Sequence, residues 1–296
     1  MKDRGVPDKR LDGMCSDQVQ TGNRAWWTSN PMAYDWHGTI DSERFTREWF
    51  DQIDQRFLHG ARLFASSQRP FDQIMPLEEL KGKRVLEVGC GMGFHCETMV
   101  RAGADVTAVD VSPASIEATS RRLALKGLSA RVIEADAENL AFDDHEFDFV
   151  WSWGVIHHSS RTARIVREIA RVVRPEGQAR VMVYNRLGMA ARLVFWKSHI
   201  ANFGFLSRSF EESLYRSTDG FSARYYIPEQ FEDMFRAYFA DVRSEICGQD
   251  ADVIPLPRQL RRIALRFTSE SYLRRAQAKR GAFIFLTAKN LLPSGR

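Results

Sequence analysis

Three glycines and one aspartate form the clearest chemical pattern in this chain of 296 residues. The apolar stretch around Glu87 runs directly into the loop Gly89-Cys90-Gly91-Met92-Gly93. Glycine adopts positive φ at little cost and, lacking a side chain, lets a ligand lie against the backbone. Asp110 ends the next apolar stretch, 21 residues after Gly89, where its carboxylate can accept hydrogen bonds from both hydroxyls of a ribose. Together the loop and the carboxylate indicate a nucleoside ligand.

Two other interpretations of the glycine loop stay open on these residues alone. A glycine turn can join a strand to a helix without binding a ligand, although the carboxylate that follows argues against it. A nicotinamide site would have the spacing Gly-x-Gly-x-x-Gly, whereas here the third glycine, Gly93, comes one residue early and Phe94 follows it. Glu87 needs a polar partner or a ligand amine inside its apolar strand, unless it lies at a solvated strand end.

Short apolar strands alternate with helices from residue 84 onward. These strands are apolar on both faces, as a parallel sheet that is covered by helices on each side requires. Ser112 and Pro113 predict the N-cap and first turn of one helix, and Pro175 with Gly177 predicts the end of another. The predicted strands are 84–88, 106–109, 130–133, 147–151, 179–184, 241–246 and 282–288. The fold class predicted from this alternation is α/β, with a Rossmann-like, mostly parallel sheet and helices on both faces.

Composition divides the chain into three segments. Residues 1–24 are polar and lack apolar periodicity, which predicts a loose N-terminal tail. Residues 25–80 are rich in aromatic side chains and predict a helical cap. Residues 81–296 form the predicted main domain, which carries an insertion at 187–227 and a basic segment at 257–280.

The overall composition is that of an ordinary globular protein, with 44% hydrophobic and 27% charged residues. A net charge of +4 is too small to imply a nucleic-acid partner, and none is predicted. The four cysteines form no Cys-x-x-Cys pair, so neither a metal site nor a disulfide framework is expected. No apolar run reaches the roughly 20 residues of a membrane span, and the first residues do not resemble a signal peptide. A cytoplasmic protein is therefore predicted.

Five motifs in order resemble one enzyme superfamily. After the glycine loop and Asp110 come the segment Asp136-Ala137-Glu138-Asn139-Leu140-Ala141-Phe142, then Phe147–Trp151 with Gly154-Val155-Ile156-His157-His158, and finally residues 167–177. This order resembles the class I S-adenosylmethionine-dependent methyltransferases, in particular the type 11 group of small-molecule enzymes. The resemblance covers about residues 84–185. It implies S-adenosyl-L-methionine as the cofactor and a seven-stranded sheet whose last strand runs antiparallel. Ala141 departs from the family, which usually has proline there.

The resemblance also implies a role for each matching position in the cofactor site. The glycine loop would lie under the methionine and ribose parts of the cofactor, and Asp110 would bind the ribose. Asp136 and the backbone at Ala137 would contact the adenine amine, Val111 would pack on the adenine face, and Trp153 would border the methionine end. The predicted cofactor residues are Glu87, Gly89, Cys90, Gly91, Gly93, Asp110, Val111, Asp136, Ala137, Ser152 and Trp153.

Two histidines and several aromatic residues are candidates for the acceptor side. Methyl transfer is an in-line displacement at a sulfonium methyl, so holding the acceptor in place is the main requirement, and a hydroxyl acceptor also needs a base. His157 follows the fourth strand and is the predicted base, although a structural role for both histidines is the favoured interpretation. The predicted acceptor pocket comprises Trp27, Tyr34, Trp36, His158, Tyr184 and Tyr225. The alternative is that these aromatic segments form a second small core.

The basic segment 257–280 carries eight Lys and Arg residues against Glu270 alone. A solvated helix face explains it most simply, and attraction to an acidic acceptor or an anionic membrane surface is the alternative. The sequence thus predicts methyl transfer to a small-molecule acceptor at oxygen, carbon or nitrogen. Two alternatives stay open: a lipid-like or quinone acceptor at the membrane surface, and a non-catalytic protein that binds S-adenosylmethionine. A homodimer is equally open.

Overall fold

Residue 11 and residues 13–34, 40–66 and 69–293 are described in this computed structural model. Within these ranges eight strands form one sheet. They are β1 Arg84–Val88, β2 Asp105–Asp110, β3 Arg131–Glu134, β4 Phe147–Trp153, β5 Val173–Asn185, β6 Tyr225–Tyr226, β7 Phe239–Cys247 and β8 Phe283–Leu291. Their order is β3-β2-β1-β4-β5-β8-β7, and the two-residue β6 pairs with β5 beside this row.

Parallel pairing brings the glycine loop and Asp110 to the same edge of the sheet. Val88 of β1 is in register with Val109 of β2, so the residues that follow each strand are neighbours. The backbone N–H groups of Gly89 and Cys90 both donate to the carbonyl of Val109, at 2.7 and 3.1 Å. The chain then crosses from β3 back to β4, on the other side of β1. Ligands bind at such a crossover in open α/β sheets.

The predicted fold class is confirmed. Strands β1 to β5 run parallel, and β8 lies antiparallel between β5 and β7, as predicted for the last strand. Both faces of the sheet are buried: Leu86 and Val88 point into one apolar core, and Val85 points into the other. The predicted strands ended too early for β4 and β8 and were short at both ends for β5 and β7, and β6 was not predicted.

Eleven α-helices occur in the described ranges. They are α1 Ser16–Ser29, α2 Arg47–Ala61, α3 Phe94–Arg101, α4 Pro113–Leu125, α5 Thr162–Val172, α6 Met189–Val194, α7 Phe210–Arg216, α8 Pro228–Arg236, α9 Asp250–Val253, α10 Arg258–Arg266 and α11 Glu270–Arg280. The Ser112 hydroxyl accepts from the N–H of Ser115 and Pro113 occupies the first turn of α4, as predicted. A π-helical turn, Phe195–Ala201, continues α6. None of these helices is long and apolar enough to cross a membrane.

The prediction of a loose tail over residues 1–24 was wrong for the part that the structure describes. Residues 16–29 form α1, in which Val19 and Asn23 are buried. The segment lacks apolar periodicity because α1 is held by polar contacts. Arg24 pairs with Glu134, and Asp17 pairs with Arg161. Hydropathy patterns do not register contacts of this kind. Residues 1–10 and residue 12 lie outside the described ranges.

Candidate active site

The glycine loop turns sharply at the carboxyl end of β1 and leaves one side of the backbone open. Gly89 and Gly91 have φ of +84° and +52°, in the left-handed region that favours glycine. A side chain at Gly89 would overlap Val155, whereas a Cβ at Gly91 would meet no atom within 4 Å. The loop is therefore packed on one side and accessible to a ligand on the other.

Asp110 is fixed by the loop that it faces. Its Oδ2 accepts from the N–H of Gly91 at 3.0 Å, and its Oδ1 accepts from the N–H of Ser112 at 2.9 Å. Burial raises the pKa of this carboxyl, and the backbone N–H groups of Ser112 and Gly91 oppose that rise. Each carboxylate oxygen has two lone pairs. The carboxylate also lines the cavity, where it could accept hydrogen bonds from ribose hydroxyls.

A second carboxylate lies at the end of β3, where α1 crosses the site. Asp136 Oδ1 accepts from Gln20 Nε2 of α1 and from the N–H of Glu138, both at 2.9 Å. Val111 and Ala137 line the space between the two carboxylates. Helix α1 thus contributes Gln20 to this end of the site, a residue that the sequence did not predict.

A cavity of about 370 Å³ extends from this carboxylate pair across the ends of β4 and β5. Most of the predicted site residues line it. From the cofactor prediction these are Gly89, Cys90, Gly91, Asp110, Val111, Asp136, Ala137 and Trp153, and from the acceptor prediction they are Trp27, Tyr34, His158 and Tyr184. One continuous space therefore contacts both predicted groups of residues.

Five other predicted site residues that the structure describes do not line this cavity: Ser152, Gly93, Tyr225, Glu87 and His157. Ser152 Oγ donates to the carbonyl of Val88 and so ties β4 to β1. Gly93 packs against Thr119. Tyr225 packs beside Tyr184 with a ring separation of 5.2 Å, and its hydroxyl lies 2.7 Å from that of Thr218. Trp36, also predicted for the acceptor pocket, lies outside the described residues.

Glu87, another of these, lies beneath the loop. Its side chain is buried, and its Oε2 has no hydrogen-bond partner among the described residues. Burial raises its pKa well above the usual range, with the nearby Asp110 carboxylate adding to the rise. The protonated form is therefore favoured. A ligand amine could contact Glu87 only if the amine entered this buried space.

The two adjacent histidines have different environments. The imidazole of His157 is fully buried, does not line the cavity, and packs at a tilt against Tyr184 with ring centroids 4.0 Å apart. Burial lowers its pKa well below the usual range. His158 does line the cavity, so the geometry does not support His157 as the base and favours its neighbour. Adjacent residues point in different directions, and a sequence cannot tell which of the two faces the ligand.

Hydrogen bonds hold His158 in one orientation. Its Nδ1 lies 2.6 Å from the carbonyl oxygen of Ser222. Its own carbonyl accepts from Asn23 Nδ2 and Ser222 Oγ, both at 2.6 Å. The indole of Trp27 meets the imidazole edge-on, with ring centroids 5.0 Å apart. Because a carbonyl can only accept, Nδ1 carries the proton in the neutral ring, and Nε2 is the basic nitrogen.

Aromatic side chains form the wall of the cavity below Trp153. They come from the cap and from α3 and β8, and they include Phe57, Phe64, Phe94 and Phe283. His95 lies among them with neither ring nitrogen hydrogen-bonded in the described ranges. Burial lowers the pKa of His95 to about 3, so this imidazole is neutral at physiological pH. This part of the cavity can accept an apolar or aromatic group.

Several cavity residues were not predicted. Gln20 and Asn23 belong to the segment that was expected to be loose, and Asp219 and Gln249 follow α7 and β7 without a recognisable motif. His95 carried a usable signal, since it stands two residues after the last glycine of the loop, at the start of α3. A histidine there is close to any ligand that the loop holds.

Comparisons with known proteins agree with this geometry. Residues 86–181 match the family model described as a methyltransferase domain. A phthiotriol/phenolphthiotriol dimycocerosates methyltransferase of Mycobacterium ulcerans is 36% identical over 125 residues, which are 42% of this chain and 44% of that protein. A ubiquinone biosynthesis O-methyltransferase of Methylocella silvestris is 35% identical over 126 residues, which are 43% of this chain and 49% of that protein.

Among solved structures, the phosphoethanolamine N-methyltransferase 2 of Haemonchus contortus superposes with a TM-score of 0.53 and 19% identity. The match covers 85% of this chain and 61% of that one. At this identity the likeness concerns the fold alone. The chain spans about half the length of the curated relatives that it matches.

Proposed function

We propose that this chain, whose residues 86–181 match the model of a methyltransferase domain, transfers a methyl group from S-adenosylmethionine to a small, apolar acceptor. One observation carries the proposal. The carboxylate of Asp110, fixed by the N–H of Gly91, opens into the same cavity as His158 and the aromatic wall. A nucleoside cofactor and an acceptor can therefore meet in one space.

The residues present fit this cofactor. Asp110 would accept from the ribose hydroxyls, and Val111 would pack on the adenine, whose amine would reach Asp136. Gly91 leaves room for the ligand against the backbone, and Trp153 would border the methionine end. When bound, the cofactor supplies an electrophilic methyl group on a positively charged sulfur.

The walls of the cavity favour an acceptor with an apolar or aromatic body. Phe57, Phe64 and Phe283 contribute rings to the wall, and His95 adds a neutral imidazole whose two ring nitrogens are buried. Aromatic packing of this kind orients a flat ligand. Orientation is the main requirement for an in-line displacement, since holding two reactants in line can lower a barrier by about 7–11 kcal/mol.

His158 is the base that we assign when the acceptor is a hydroxyl. Its Nδ1 proton is committed to the Ser222 carbonyl, so Nε2 is the nitrogen that can take a proton. Asn23 and Trp27 of α1 hold the residue in place. With the cofactor bound, Nε2 of His158 would take the proton of the acceptor hydroxyl, and the cofactor would supply the methyl group together with a neutral thioether leaving group.

The direct test is formation of S-adenosylhomocysteine with a panel of acceptors. We expect turnover with apolar phenols or quinols and none with sugars or nucleic acid, because the cavity wall offers rings and few charges. Methylated product would be identified by mass spectrometry. Binding of S-adenosylmethionine without turnover of any acceptor would overturn the catalytic proposal and favour the non-catalytic alternative.

Replacing the base should slow the reaction at a hydroxyl acceptor selectively. For His158→Asn we expect kcat to fall by about 100-fold or more, the lower end of what general-base catalysis contributes. The affinity for S-adenosylmethionine should stay unchanged. The limb of the pH–rate profile that a general base produces should also disappear. The matched control is His59→Asn, at an exposed position on α2. An unchanged pH profile would refute this role for His158.

The two named relatives favour a lipid-like or quinone acceptor as the specific form of the proposal. One acts, by its name, on phthiotriol dimycocerosates and the other in ubiquinone biosynthesis. Both names fit an apolar cavity wall. The acceptor panel separates this class from small water-soluble phenols, because a long apolar tail should lower KM only if the cavity or the surface beside it receives the tail.

A further inference from the structure

Two segments outside the methyltransferase motifs lie at the same edge of the sheet as the cavity. Tyr184 at the end of β5 pairs with Phe283 at the start of β8, and Cys247 at the end of β7 pairs with Phe283 from the other side. The connection from β5 to β6 therefore begins at this edge, and so does the connection from β7 to β8. Tyr184 and Phe283 line the cavity.

Helix α10 exposes an apolar stripe at this edge. Leu260 and Ile263 stand three residues apart on one side of the helix, Phe267 follows four residues later at its C-terminal end, and Leu256 lies two residues before its first turn. All four are exposed, and Phe267 is 86% exposed. No residue of α10 is buried. An amphipathic helix normally buries its apolar stripe against the protein, so this stripe is available to another surface.

The segment that follows α6 adds exposed aromatic and aliphatic side chains. Trp196 is 64% exposed and Phe203 is 65% exposed, while Leu206 reaches 74%. Leu193 and Phe205 are exposed as well. Helix α6 contacts α9, the short helix that precedes α10. Large exposed apolar groups that cluster in this way mark an interaction site.

The charge beside the apolar stripe is strongly positive. Arg258, Arg262 and Arg266 stand four residues apart and are exposed, so they form a second row along α10. Over residues 257–280 eight basic side chains face one acidic side chain, Glu270, which pairs with Arg274. Arginines beside Leu, Ile and Phe are typical of a helix that lies in the headgroup region of an anionic membrane.

We propose that α10 and residues 193–206 dock this edge of the protein on an anionic lipid bilayer. The apolar stripe enters the boundary between headgroups and acyl chains, and the arginines bind lipid phosphates. A protein interface would not need this excess of positive charge. Docking does not depend on the proposed methyl transfer. If both are correct, an acceptor that is dissolved in the bilayer reaches the cavity along this edge.

Sedimentation with vesicles tests the proposal without any catalytic readout. The full chain should sediment with phosphatidylglycerol vesicles and stay in solution with phosphatidylcholine vesicles, and added salt should weaken binding. The apolar variant combines Leu260→Ser, Ile263→Ser and Phe267→Ser. The charge variant combines Arg258→Glu, Arg262→Glu and Arg266→Glu. Each should lower partitioning by about tenfold or more. The charge variant loses phosphate contacts that are worth about 1 kcal/mol each, and the apolar variant loses the burial of three side chains in the bilayer.

Matched controls lie on α4, where Leu125→Ser and Arg121→Glu change exposed side chains of the same types. These should bind vesicles like the parent chain. Thermal stabilisation by S-adenosylhomocysteine should be equal in all variants, which shows that they are folded. No binding of the parent chain, or equal binding by the α10 variants, would overturn the proposal. The proposal would also be overturned if the parent chain failed to bind vesicles and formed a dimer that Phe267→Ser dissociated. The stripe would then be a protein interface.

Discussion

Asp110→Ala is expected to lose at least about 100-fold in affinity for S-adenosylmethionine. A hydrogen bond to a charged group contributes about 1.5–3 kcal/mol, and the carboxylate would make one to each ribose hydroxyl. The substitution also releases the N–H groups of Gly91 and Ser112, which now donate to Asp110 and hold the loop in place. Both effects weaken binding of the same ligand.

Calorimetry and thermal unfolding measure this loss. A ligand at 100 times its dissociation constant stabilises a protein by about 2.7 kcal/mol, and that shift should vanish in the variant at the same concentration. The matched control is Asp105→Ala, at the exposed start of the same strand. Equal affinity in Asp110→Ala and the parent chain would contradict the assignment of the ribose site. A shift with NAD(H) alone would contradict the choice of cofactor.

Arg122→Met is expected to destabilise the fold by about 3–5 kcal/mol, the usual cost of removing one partner from a buried ion pair. The Arg122 side chain is 1% exposed. Its Nη1 donates to Asp54 at 2.9 Å and its Nε donates to Glu97 at 2.7 Å. Its guanidinium also lies over the rings of Phe50 and Phe94. Methionine would fill similar space and leave the partly buried Asp54 carboxylate and the buried Glu97 carboxylate without this cation.

This arginine joins three parts of the protein. Asp54 belongs to α2 of the cap, Glu97 to α3, and Arg122 itself to α4, while Nη1 also reaches the carbonyl of Met92 in the glycine loop. Urea unfolding would measure the loss, with Arg121→Met, an exposed neighbour on the same helix, as the control. A change within about 1 kcal/mol, typical of an exposed pair, would contradict the prediction.

The effect of Arg122→Met should shrink at low pH. Burial alone would raise the pKa of Glu97, but hydrogen bonds and charge from Arg101, Arg122 and Lys126 outweigh it and lower the pKa. A lowered pKa means that this carboxylate stabilises the fold above its unfolded pKa and stops doing so as pH falls through the folded value. The free energies of unfolding of the parent chain and of Arg122→Met should therefore converge as the pH falls. A gap that does not depend on pH would refute this account.

Local sequence patterns were sufficient to predict the central sheet. A parallel sheet buries both faces of its strands, so Val85–Val88 and Val106–Val109 are apolar except at Glu87 and Thr107, and that pattern is visible in the chain itself. The glycine loop and Asp110 follow these strands directly. Parallel register then brings them together, which explains how a sequence can predict that two distant segments form one site.

Other features depended on contacts that no local pattern records. Helix α1 is held by single hydrogen bonds, such as Asn23 to the carbonyl of His158, across 135 residues of chain. Whether His157 or His158 faces the cavity depends on a short 3-10 turn, Ile156–His158, whose orientation is set by Ser222 and Tyr184. Likewise, the spacing of apolar residues in α10 is that of a helix packed on the core. Only the tertiary structure shows that these side chains are exposed.

The sequence by itself determined the sheet, the loop and the carboxylate that faces it, because backbone sterics and two-sided burial act over a few neighbouring residues. The tertiary structure alone decided which histidine lines the cavity, that α1 contributes Gln20 to it, and that the stripe on α10 stays uncovered. Those outcomes depend on which surfaces meet after the chain has folded, and many arrangements of side chains satisfy the same local pattern.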